Sequence, residues 1–269
     1  MVSSAKLHKA QEQVSHFDLY CRKIKGMLTS YIANDGDTED IALLAGRREV
    51  KRVAIVAFAS NSSLCGSYNS NVRKRLDELL SGEYAFFSHE NISLYLVGKK
   101  IYEEFIKRET DYHIKGPFLE LSHKPDKGAL DEICDELTTL FLSKEIDRVE
   151  IVYNKFKNTA AQVITHERLL PLAEQSAHTE KKRNTAYIVE PDINHFLSEI
   201  VPEIVHLQLY GALLSSYASE HGARTTAMQI ATDNADDLIE SLVLEYNKLR
   251  QDAITRELID IIGGSEVQR

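Results

Sequence analysis

The first 33 residues place apolar side chains at Leu7, Ala10, Val14, Phe17, Cys21, Ile24, Leu28 and Tyr31, alternately three and four residues apart without a break. A mean spacing of 3.5 keeps one narrow stripe on the same side of a helix along its whole length. Such a stripe calls for a partner helix, whereas a helix lying on a globular core carries a broader and less regular face. Asn34-Asp35-Gly36-Asp37 ends the pattern, because Gly tolerates positive φ and Asn and Asp favour turns. The partner has to come from elsewhere in the chain or from another protein.

The other end of the chain offers one. After Pro191-Asp192, which reads as a helix start, the pattern stays helical to Gly263-Gly264 with only Pro202 to interrupt it, as a kink or a fresh first turn. From Pro202 to Ile262 is about 61 residues, which at the α-helical rise predicts a helix of roughly 90 Å. Ile239, Leu242, Tyr246, Leu249 and Ala253 repeat the three-four spacing, as do Met228, Ala231, Ala235 and Leu238. Charge favours pairing the ends. Residues 1–33 carry five basic against two acidic side chains, a net of +3, and residues 203–269 five basic against eleven acidic, a net of −6. Since both helices return to one globular body, they are expected to run antiparallel.

Between them, residues 48–190 alternate strands with helices. Val53–Phe58, Ile92–Val97 and Val149–Asn154 read as interior strands, with a short strand at Tyr112–Ile114 and later strands at Ala161–Leu170 and Ala186–Val189. Helical spacing covers 67–80, Gly98 to about Arg108, and Asp126–Leu142. This order predicts a Rossmann-like α/β layer with a mostly parallel sheet. The expected fold class is therefore α/β: an antiparallel two-helix coiled coil of the chain ends (1–34 and 192–262) plus a central α/β domain (48–190).

A net charge of −9 and a pI near 5.6 argue against a general nucleic-acid binder or an anionic-membrane binder. No run approaches the ~18 apolar residues of a spanning helix, and Met1–Gln13 lacks the apolar stretch of a signal peptide. Cys21, Cys65 and Cys134 are odd in number and far apart, which disfavours a disulfide framework or a zinc site and fits a reducing cytosol.

The strand-to-helix turn Ser60-Asn61-Ser62-Ser63-Leu64-Cys65-Gly66-Ser67 is where a phosphate could meet helix N–H groups. It has neither GxGxxG nor GxxxxGK[ST], so it reads as a polar turn capping a helix. Cys65 has no neighbouring base to activate it and reads as a small packed residue. The ten histidines form no HxxxH or HExxH, and Asp233, Asp236, Asp237 and Glu240 read as a solvated helix face. No catalytic residue, cofactor or metal is expected.

Three stretches nevertheless resemble one known family. Met1-Val2-Ser3-Ser4-Ala5-Lys6-Leu7 is similar to MVAASKL in the first helix of F-type ATP synthase gamma subunits, and Leu64-Cys65-Gly66-Ser67-Tyr68-Asn69 to their GLCGxxN turn. The segment from Ser219-Glu220-His221-Gly222-Ala223-Arg224 through Ala227-Met228, Asn234-Ala235, Tyr246-Asn247-Lys248-Leu249-Arg250-Gln251 and Ile254-Thr255 to Glu257-Leu258 follows their C-terminal pattern with few misses. The resemblance implies a rotor shaft: the coiled coil stands inside a ring of alpha and beta subunits, and the α/β foot meets the epsilon subunit and the ring of c-subunits. Proton flow turns the shaft, chemistry belongs to the hexamer, and the chain itself is not an enzyme. It also implies contacts to a beta-subunit loop for Arg250 and Gln251, with Thr255 nearby, and shaft contacts for Lys6 and Arg224.

There are departures. Asn61-Ser62-Ser63 stand where the family usually has Asp-Arg-Gly, so a contact made by that Arg is lost or moved, and Thr225 replaces a common Met. The family normally begins about two dozen residues earlier, so the chain is expected to be truncated, cleaved or misassigned at its start. Without a transit peptide or the cysteine insert of chloroplast relatives, a bacterial enzyme at the cytoplasmic face of the inner membrane is expected. The competing readings are a nucleotide- or phosphate-dependent α/β enzyme with a helical dimerisation arm, and an adaptor whose coiled coil recruits another complex.

Overall fold

The computed structural model describes residues 2–32, 49–108, 111–159, 161–172 and 193–266. They fall into two units, residues 1–225 and 226–269.

At the centre of the first unit is a five-stranded sheet of β1 (Val53–Phe58), β2 (Ile92–Val97), β3 (His113–Lys115), β4 (Arg148–Phe156) and β5 (Gln162–Leu170), ordered β3-β2-β1-β4-β5. The first four strands in that order are parallel, and β5 returns antiparallel on β4. All six residues of β1 are buried, as a strand covered on both faces requires. Its side chains alternate between two cores with the period of two that a pleated strand imposes. Val53, Ile55 and Ala57 pack with Val72 and Leu76 of α2 (Tyr68–Ser81) and Ile101 and Phe105 of α3 (Lys99–Ile106). Ala54, Val56 and Phe58 pack with Leu130, Ile133, Leu137 and Phe141 of α5 (Lys127–Leu142), and with Val201, Val205, Leu209 and Leu213 of the C-terminal helix. A five-residue helix, α4 (Leu119–His123), follows β3 and buries Leu121. Periodicity reveals no helix so short. Glycine is obligatory at position 98: φ is +100°, and a Cβ there would stand 2.3 Å from the Ala59 carbonyl oxygen.

The mostly parallel α/β layer expected from the sequence is therefore present; the limits of β1 and β2 are the expected ones, and those of β3, β4 and β5 differ by one or two residues. The expected strand at Ala186–Val189 and the charged loop before it lie outside the described residues.

The two end helices pair as their seam predicts. On α1 (Val2–Ile32), Leu7, Ala10 and Ile24 are buried, and Val14, Phe17 and Cys21 are half-buried. The intervening Gln13, Ser15, His16, Leu19 and Tyr20 are exposed. Ile24 meets Ile204 and Leu207 of α6 (Ile193–Glu266), whereas Phe17 lies edge-on to Tyr210 at 5.2 Å. A rise along α1 matches a descent along α6, which makes the pair antiparallel. α6 runs through Pro202. Burial of Val201, Ile204 and Val205 around it supplies packing that offsets the lost backbone hydrogen bond.

The second unit is the rest of α6. From Met228 to Ile259 every side chain is exposed, among them Leu238, Ile239, Leu242, Val243, Tyr246, Leu249, Leu258 and Ile259. No helix among the described residues is long and apolar enough to cross a membrane.

Candidate interaction surfaces

The turn singled out in the sequence is closed on itself. Asn69, one residue into α2, reaches back: its Oδ1 accepts from the Ser60 backbone N–H at 3.0 Å, and its Nδ2 donates to Ser60 Oγ at 2.8 Å and to Cys65 Sγ at 3.2 Å. Ser60 Oγ donates to the Ser62 carbonyl at 2.6 Å. The turn is thus organised by a helix side chain, and Ser67 makes no side-chain cap of α2. Cys65 is 2% exposed and packs with Tyr68 and Ala223, as expected for a small core residue. Gly66 and Leu64 both take positive φ, 57° and 67°. For leucine this is a strained conformation, and it turns the side chain outward to 71% exposure.

The same turn is tied to α6. Arg224 donates from Nη1 to the Ser63 carbonyl at 2.5 Å and from Nη2 to Glu220 Oε1 at 2.7 Å. The LCG turn and the Ser219–Arg224 segment, two of the stretches that carry the family resemblance, therefore touch. Below this link Tyr68 Oη lies 2.6 Å from Ser216 Oγ and 3.2 Å from the Ser216 carbonyl oxygen. Ser219 Oγ donates to the Asn154 carbonyl at 2.8 Å, and the Phe156 N–H donates to Ser215 Oγ at 2.8 Å.

Lys6 and Arg224, separate in sequence, act on one pair of buried groups. Burial raises the Glu220 carboxyl above its ordinary pKa, and Arg224, Lys6 and His123 oppose that rise. Burial also lowers His221 to about 4, helped by the positive charges of Lys6, Arg224 and His123. Its ring lies edge-on to Tyr217, and its Nδ1 has no hydrogen-bond partner among the described residues. The three other residues singled out are in the second unit. Arg250, Gln251 and Thr255 are exposed there, and Thr255 Oγ1 donates to the Gln251 carbonyl one turn back at 2.8 Å.

A further charged group was not legible in sequence. Glu150 is 1% exposed in β4, with His166 Nε2 at 2.7 Å and Arg148 Nη1 at 3.6 Å. Burial would raise its pKa, but hydrogen bonds from His166 and Tyr84 and the charge of Arg148 outweigh burial and lower it. Arg75 Nη2 lies 3.3 Å from His166 Nδ1. A guanidinium only donates, so Nδ1 accepts and the ring proton is on Nε2, directed at Glu150.

Comparison with known proteins agrees with these features. A family model described as ATP synthase matches residues 1–267. The chain is 43% identical over 267 residues to the ATP synthase gamma chain of Phocaeicola vulgatus, covering 98% of this chain and 91% of that one. It is 44% identical over 268 residues to that of Bacteroides fragilis, with the same two coverages of 98% and 91%. Among solved structures it superposes on a chain of the Euglena gracilis mitochondrial ATP synthase with a TM-score of 0.58 at 18% identity, over 98% of this chain and 95% of that one. At that identity the likeness speaks for the fold.

Proposed function

Because this chain belongs to the ATP synthase gamma-chain family, we propose that it is the rotor of the central stalk, turning within a hexamer of alpha and beta subunits. The observation that carries this reading is the contrast along α6. Residues 201–223 are largely buried in the chain's own first unit, whereas 228–259 are exposed throughout and hold a row of large apolar side chains. Wet apolar area on that scale marks a protein partner. In the rotor reading the partner is the hexamer lining, with Arg250 and Gln251 placed against a beta-subunit loop, Thr255 one turn on, and Lys6 and Arg224 as further contacts.

The mechanism is a population shift. A shaft whose sides differ stabilises a different conformation of each beta subunit at each orientation, so rotation and the state of the catalytic sites are linked. Chemistry then resides in the hexamer, and this chain contributes no catalytic group. The α/β foot, residues 48–190, meets the epsilon subunit and the c-subunit ring, through which the chain is held at the cytoplasmic face of the bacterial inner membrane.

Reconstitution with alpha and beta subunits tests this. One copy should bind per hexamer, and proton-coupled hydrolysis should require it. Arg250→Ala/Gln251→Ala should weaken coupled hydrolysis without changing the melting temperature of the isolated chain, since both side chains are exposed. A hexamer that hydrolyses and couples equally well without this chain refutes the reading.

A further inference from the structure

Where α6 crosses the carboxyl ends of the parallel strands, its buried face changes character. From Val201 to Leu214 the buried residues are apolar, but Ser215, Ser216, Ser219, Glu220 and His221 are also buried, at 8%, 2%, 0%, 7% and 7% exposure. Positions 215/216, 219 and 223 recur on one side of a helix. Each serine on that side meets a group fixed in the α/β layer: the Phe156 N–H at the end of β4, the Tyr68 hydroxyl at the start of α2, and the Asn154 carbonyl in β4. Tyr68 is held in turn, since Asn154 Nδ2 donates to its carbonyl at 3.1 Å. Polar groups buried and paired in this number are a costly way to attach a helix, because apolar side chains of similar volume would bind it at least as well.

What they add is direction. Apolar contact carries no preferred angle atom by atom, so an apolar face resists turning only through the interlocking of its side chains, and hydrogen bonds add an angular constraint of their own. Hydrogen bonds weaken steeply with misalignment and oppose that turning. We propose that Tyr68, Ser215, Ser216 and Ser219 form an anti-twist lock that fixes the rotational setting of α6 in the α/β layer, so that torque on the helix reaches the layer without slip. This rests on the rotor reading and concerns residues that the rotor reading assigns to no partner.

The test uses the complete ATP synthase in sealed vesicles and measures protons pumped per ATP hydrolysed. Tyr68→Phe/Ser219→Ala removes the hydroxyls with little change of volume. Leu209→Ala, in the apolar part of the same face, serves as the comparison that destabilises without touching the lock. Each hydrogen bond contributes roughly a fivefold factor to the ratio of held to slipped states. Losing two such bonds shifts that ratio toward slip roughly 25-fold, so the double variant should assemble and hydrolyse ATP with a pumping ratio clearly below wild type, while Leu209→Ala keeps the wild-type ratio. Ser219→Thr should keep it too. If the double variant fails to assemble, Ser219→Ala against Ser219→Thr carries the same comparison. A normal ratio in the lock variants, or an equal fall in Leu209→Ala, overturns the proposal. Normal pumping by a complex lacking this chain altogether overturns the rotor reading instead.

Discussion

His221 makes the stability of the first unit depend on pH in a way that one substitution should remove. The ring is 7% exposed, and burial with Lys6, Arg224 and His123 around it lowers its pKa from 6.5 to about 4. Between those values the unfolded chain holds a proton on this histidine that the folded chain does not. Stability is therefore fully present above pH 6.5 and falls as pH falls through the window to about 4. At about 1.4 kcal/mol per unit, the whole window is worth about 3 kcal/mol, and roughly 2 kcal/mol of it is gone by about pH 5. The neighbouring Glu220 has a raised pKa and acts oppositely, losing stability as pH rises from its unfolded value of 4.5, so it blunts the slope without reversing its cause. Glu150, whose pKa is lowered, matters only below the ordinary carboxylate range. His221→Phe keeps a flat ring against Tyr217 and cannot titrate. Thermal melts followed by circular dichroism should show wild type losing about 4–8 °C more than the variant between pH 7 and about pH 5. Parallel losses in the two proteins, or an imidazole proton resonance of His221 titrating near 6.5, would refute the argument.

Three other outcomes follow from the geometry. Glu150→Ala leaves His166, Arg148 and Tyr84 without their buried acceptor and should cost about 3–5 kcal/mol in urea unfolding; a loss under about 1 kcal/mol would contradict this. Gly98→Ala brings a Cβ to 2.3 Å from the Ala59 carbonyl at a φ of +100°, so a strain of at least about 1–3 kcal/mol should lower the melting temperature; an unchanged melt would be the contrary result. Backbone amides of residues 240–259, exposed throughout, should exchange with deuterium faster than those of β1, β2 and β4. Equal protection in a proven monomer would count against an unpartnered helix.

Legibility in sequence followed the range of the forces concerned. The stripe from Leu7 to Ile24 and the strands Val53–Phe58 and Ile92–Val97 could be read because burial of an apolar face is written in local periodicity. The lock residues could not. Ser215, Ser216 and Ser219 look like a solvated face until Phe156, Tyr68 and Asn154, from 59 to 148 positions away, are placed against them. Glu150 and His166, 16 residues apart, meet only because β5 turns back on β4. Arg224 could be singled out through the family pattern, but its link to Ser63 across 161 residues could not.

The opposite net charges of the chain ends are not what pairs α1 with α6. Of the eleven acidic residues in 203–269, nine lie at or beyond Asp233, in the second unit. The other two are paired elsewhere, Glu203 with Lys127 of α5 at 3.5 Å and Glu220 with Arg224 of its own helix at 2.7 Å. Lys6 acts on Glu220 only at a distance. What holds α1 to α6 is the apolar seam of Phe17 and Ile24 on Tyr210, Ile204 and Leu207. The acidity therefore stays on residues 226–269, where four basic side chains face nine acidic ones for a net of −5. A surface that is apolar in its stripe and acidic around it meets its partner mainly through non-directional contact, which can be remade at successive orientations at little cost. α6 thus divides by chemistry, with directional bonds at 215–219 where the helix must not turn in its seat and apolar contact beyond 228 where, as a rotor, it must turn within one.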